Sequence, residues 1–101
     1  MREKKPYPKT VEEAVQRLME ELPLKDKVVI ANITAEEVGE LYFSVGNYIK
    51  NSFGLWDGNN HLMWSCAKEA GRRILHEDEA SAIILNRLAL ELERTHKLRT
   101  V

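Results

Sequence analysis

Cysteine, histidine and long apolar runs are nearly missing from this sequence, and each shortage removes a class of function. Cys66 is the only cysteine, so no intrachain disulfide can form and a cysteine-rich zinc site is excluded. His61, His76 and His96 stand far apart, with no ligand pair at i, i+4 spacing, and no metal or other cofactor is expected. No stretch approaches the ~20 consecutive apolar residues of a membrane span, so no membrane partner is expected. Met1-Arg2-Glu3-Lys4-Lys5 runs into Pro6-Tyr7-Pro8 rather than into a leader-like apolar stretch, and the expected location is cytoplasmic. Gly54 and Gly58 lack the spacing of a phosphate-cradling loop, and no Lys-Ser or Lys-Thr follows them. The acids Glu77, Asp78 and Glu79 fit the start of a helix, where the helix dipole favours them, and need no catalytic role. The chain is not expected to be an enzyme.

What remains describes one soluble domain. The 101 residues, 44% hydrophobic and 31% charged, suit a single globular core. The net charge of -1 conceals an asymmetry: residues 1–9 and 94–101 each carry +3, while residues 10–93 hold eight basic and fifteen acidic side chains. An acidic body disfavours general phosphate binding, so a nucleic-acid partner is the second choice and rests on the basic ends alone.

Thr10-Val11-Glu12-Glu13 has the pattern of a capping box, and Val11, Val15, Leu18, Met19 and Leu22 follow at helical spacing until Pro23. A short second helix is expected from Leu24 to Asn32, with Val28 and Ala31 inward. Thr34-Ala35-Glu36-Glu37 repeats the capping pattern and opens a third helix to about Asn51, with Val38, Leu41, Tyr42, Val45, Tyr48 and Ile49 on one face. Gly39 and Gly46 flank Phe43 on another face, which points to a helix approached from two sides. A fourth helix is expected from His61 to Leu75, with Cys66 and Ile74 on its main face and Trp64 and Leu75 off it. The fifth runs from a cap at Asp78 to Arg94. Ile84, Leu85, Leu88 and Leu92 point one way; Ile83, Arg87 and Leu90 point the other. The fold class is therefore all-α, a compact bundle of four main helices plus one short helix. A flexible basic segment at 1–9 and a basic tail at 95–101 flank a single helical domain at 10–94.

The segment Phe53-Gly54-Leu55-Trp56-Asp57-Gly58-Asn59-Asn60 is the one long break between helices. Its glycines permit positive φ, its Asp and Asn side chains can fold back on local amides, and Asn59 or Asn60 can cap the fourth helix. Two roles are open to it: a corner that plugs its aromatics into the core, or a binding epitope anchored by Trp56. The plug is the expected one, with Trp56 buried and Trp64 the more exposed indole.

Pro8-Lys9-Thr10-Val11-Glu12-Glu13-Ala14-Val15, Asn51-Ser52-Phe53-Gly54-Leu55-Trp56 with Gly58-Asn59, and Asp78-Glu79-Ala80-Ser81 together resemble a family of small bacterial domains of unknown function. The resemblance runs from Pro8 to about Leu92. It implies a bacterial source and a helical fold, and carries no activity. The function expected is that of a non-enzymatic protein–protein interaction domain, self-associating and of immunity or adaptor type. Ile83, Arg87, Leu90 and Trp64 are the candidate self-association residues.

Overall fold

The computed structural model describes residues 6–32 and 38–96. Five helices follow one another: α1 (Val11–Glu21), α2 (Leu24–Ala31), α3 (Val38–Ser52), α4 (Asn60–Ala70) and α5 (Glu77–His96). No strand occurs among the described residues. The all-α expectation holds, including the short second helix.

α5 is the organising element, because it packs against each of the other four helices. Ala80, Ile84, Leu85, Leu88 and Leu92 are fully buried along it. From α1, Val11, Ala14 and Leu18 meet the same core, with Met19 and Leu22 half-buried at its margin. Ile49 enters from α3, Ile30 and Ala31 from α2, and Leu62, Cys66 and Ala67 from α4. Val28, expected inward, is only half-buried, and Ile30 takes its place. At Gly46 α3 faces α5: a Cβ there would sit 3.5 Å from Ser81 Oγ, an ordinary van der Waals contact, so the packing has room for a methyl group. Gly39 faces open space, so the second expected approach is absent at that position.

The helix ends follow from local hydrogen bonding. Thr10 accepts from the Glu13 amide at 3.1 Å, while Glu13 reaches back to the Lys9 amide at 3.2 Å. Thus the first capping box forms, displaced by one residue on its return arm. The second, at Thr34–Glu37, lies outside the described residues. α4 stops at Ala70, five residues short of the expected Leu75. Gly71 adopts the left-handed conformation, φ 68°, and the Arg72 amide returns to the Ala67 carbonyl at 2.9 Å, which satisfies an orphan acceptor and ends the helix. Beyond that stop the helical spacing no longer applies. Ile74 is therefore 81% exposed, while Leu75 turns into the core.

The cap of α5 is His76 rather than Asp78. Its Nδ1 accepts from the Asp78 amide at 3.0 Å, and Glu79 accepts from the His76 amide at 2.9 Å. This is a capping box with imidazole as the first acceptor. His76→Ala should cost about 1 kcal/mol, as for other N-caps, and His76→Asn should retain most of it. Urea denaturation of the two variants checks this; equal midpoints would show that the imidazole contributes nothing to the cap.

Candidate interaction surface

The loop after α3 begins as a helix stop. Gly54 is left-handed at φ 72°, and the Leu55 amide returns to the Lys50 carbonyl at 3.1 Å. The turn is continued by the Asp57 and Asn59 amides, both donating to the Gly54 carbonyl at 3.0 and 3.1 Å. Gly58 is also left-handed, φ 80°. Asn59 then does three things at once. Its Oδ1 accepts from the Leu62 amide at 3.3 Å and caps α4, while its Nδ2 donates to the Phe53 carbonyl at 2.8 Å and to the Pro8 carbonyl at 2.9 Å.

The contact to Pro8 draws in the N-terminal segment, which the sequence reading had set aside as a flexible end. Pro8 is fully buried, and the Tyr7 ring lies directly over Gly54. The Tyr7 hydroxyl donates to Asp57 at 3.2 Å, and that hydrogen bond raises the phenol above its ordinary range. At the start of α1, the Val11 amide donates to Ser65 of α4 at 3.0 Å. Sequence spacing could not show this pairing, since Tyr7 and Gly54 meet only through the fold. The sole local hint is an aromatic held extended between two prolines.

The loop splits between its two expected roles. Phe53 and Leu55 are plugged into the core, but Trp56 is 53% exposed, which overturns the expectation of a buried indole. The two inward side chains already fill the corner, and the indole is left outside with the Lys50 ammonium 4.9 Å from its ring centre. Lys50 also pairs with Asp78 at the start of α5, and this hydrogen bond holds the Asp78 carboxyl below the usual range. Trp56, Lys50 and Asp78 therefore form one continuous patch. It borders a groove of about 340 Å³ between α3 and α5, whose far end is Phe43. Phe43 is 75% exposed. Sequence spacing marks Phe43 as an apolar position off the main face of α3, and the fold places it on this groove.

The four candidate self-association residues are not brought together. Ile83 packs against the core, since α5 is central and needs no second copy to cover that side. Arg87 bonds to Glu69 at 2.6 Å and lies 3.8 Å from Glu12, tying α5 to α4 and α1. Leu90 is exposed beside Ile30 and Ala31 of α2. Trp64 is exposed on α4 with Lys68 over its ring at 4.5 Å, and at 64% it is the more exposed indole, as expected. Cys66 is buried, and burial pushes its thiol up to about 12, leaving it protonated at neutral pH.

The model of the family described as Domain of unknown function (DUF6794) matches residues 7–92. The chain belongs to this family. The match begins at the docked Tyr7 and ends at the last core leucine of α5, so it spans the whole packed body. No curated protein and no solved structure matches the chain.

Two predictions follow from the loop. Gly54→Ala should destabilise the domain by more than the ~1 kcal/mol of an unfavourable φ, because the new methyl meets the Tyr7 ring. In a Tyr7→Ala background the same change should cost measurably less, and a double-mutant cycle from denaturation curves reads that coupling. Separately, Phe53→Ala should cost ~3–5 kcal/mol and Trp56→Ala no more than about 1 kcal/mol. Equal losses in the two alanine variants would mean that the indole is buried after all.

Proposed function

We propose that this domain is a non-enzymatic protein–protein interaction module that associates with further copies of itself, with the outward face of α3 at the centre of its contact surface. The observation that carries this reading is Phe43. A phenylalanine three-quarters exposed near the middle of a helix gains nothing from its own fold, and covering it would stabilise a complex by up to ~1.5–3 kcal/mol. It is not isolated: the adjoining groove runs from Phe43 to Lys50, whose ammonium lies over the exposed Trp56 ring. Exposed aromatics rimmed by polar and charged groups are the usual composition of a binding surface.

The absence of an enzymatic role is part of the proposal. Its support is that the functional-looking acids and histidine at 76–79 are occupied in capping and ion pairs. No helix among the described residues is long and apolar enough to cross a membrane. A cytoplasmic, bacterial setting is proposed with it, supported by the single buried thiol and by the shared motifs. A nucleic-acid-binding role would rest on the basic ends, where Lys9 and Arg94 are described and Arg2, Lys4, Lys5, Lys97 and Arg99 lie outside the described residues.

Phe43→Ser tests the reading. Thermal stability should stay within about 1 kcal/mol of the parent, while concentration-dependent association measured by sedimentation velocity should weaken at least tenfold. Unchanged association would remove the α3 face as the contact surface.

A further inference from the structure

On the other side of α3 lies a second groove of about 330 Å³, where the end of α1, the start of α2 and the middle of α3 converge. Its floor is apolar: Leu22, Pro23, Val45 and the ring of Tyr48. Its rim is acidic, from Glu21 at the end of α1 and Asp26 in the first turn of α2. None of the described side chains lining it is cationic. Lys27 of α2 is engaged elsewhere, donating to the Met19 carbonyl at 2.8 Å. Among the described residues Glu21 accepts from the Tyr48 hydroxyl at 3.2 Å, and a carboxylate can accept further hydrogen bonds. Burial and the Glu21 charge both raise the Tyr48 phenol, consistent with a negative potential in the groove.

Such a groove suits a short segment carrying an apolar side chain between two cations. The chain itself contains one, Lys97-Leu98-Arg99, directly after α5. The acidic body and basic ends are thus complementary between copies as well as within the pattern of charge along the chain. We infer that this acid-rimmed groove is the docking site for the Lys97-Leu98-Arg99 segment of a second copy, with Leu98 on the apolar floor and the two cations toward Glu21 and Asp26. This rests on the self-association reading and gives it a specific contact beside the α3 face. Exchange of the segment between two copies is reciprocal, so each dimer closes with two occupied grooves and needs no further copies. The rim contacts are exposed and therefore salt-sensitive.

A charge exchange in the full chain decides the matter. Sedimentation velocity over a concentration series should show the parent dimerising, with association weakened by raising salt from 50 to about 500 mM. Glu21→Lys/Asp26→Lys and, separately, Lys97→Glu/Arg99→Glu should each weaken self-association at least tenfold. Both rim positions are exposed, and circular dichroism should confirm an unchanged helical fold. An equimolar mixture of the two variants should recover a heterodimer, which only contact between copies can produce. If both variants dimerise like the parent, the groove is not the docking site, and self-association through another surface stands. A parent that is monomeric at every concentration overturns the self-association reading and this inference together. Variants that dissociate without recovery in the mixture leave self-association intact and reject the pairing of this segment with this groove.

Discussion

The fold depends on one helix being buried on several sides at once. Ile84, Leu85, Leu88 and Leu92 of α5 are each removed from water, and at ~1.5–3 kcal/mol per side chain their burial contributes on the order of 10 kcal/mol before entropy is counted. That is comparable with the whole net stability of a small domain, ~5–15 kcal/mol. Every other helix meets α5. Small groups line the contacts with α5: Gly46 of α3 faces Ser81, and the Cys66 thiol of α4 lies 3.7 Å from the Ala80 carbonyl. A central helix also accounts for Ile83. An apolar residue on the second face of an amphipathic helix is a sign of a partner only where that face is open; at Ile83 it is covered from within, whereas at Leu90 it is exposed.

A second constraint ties the chain together far from α5. The corner between α3 and α4 is a knot of three segments, held by Asn59 bonding to its own loop, to the N-terminal strand of coil and to the first turn of α4. Gly54 serves two purposes there, a left-handed helix stop and a flat seat for Tyr7. These polar contacts decide which aromatics go inward. Phe53 and Leu55 occupy the corner, and Trp56, next in line, is held against Lys50 at the surface. The same lysine joins the start of α5, so the structural knot and the exposed patch share a residue.

The two grooves beside α3 differ in chemistry although one helix forms a wall of each. Toward α5 the wall presents Phe43 and Lys50, with the cation already matched by Asp78. Toward α1 and α2 it presents Val45 and Tyr48 beside the carboxylates of Glu21 and Asp26, with no cation among the described lining residues. An interaction surface built on this helix can therefore use apolar area on one side and charge on the other. The first sets strength and the second sets partner and salt dependence.

The sequence by itself determined the fold class, the five helices and most of the core. Those properties are local: periodic apolar positions, a threonine–glutamate cap, a proline stop and an asparagine cap repeat their physics wherever they occur. Likeness to an uncharacterised family of small domains was legible as well, and the family model spans residues 7–92. Structure departs from periodicity where a nonlocal contact or a helix stop intervenes. Gly71 ends α4 early by adopting a left-handed conformation, and it inverts the fates of Ile74 and Leu75. His76 replaces Asp78 as a cap because imidazole Nδ1 can do a carboxylate's work when it faces the right amide. The exposure of Phe43 and Trp56, the docking of Tyr7 and the acid-rimmed groove were decided only by tertiary structure. Each depends on which side chains reach a site first across tens of residues of chain, and periodicity along one helix holds no information about that competition.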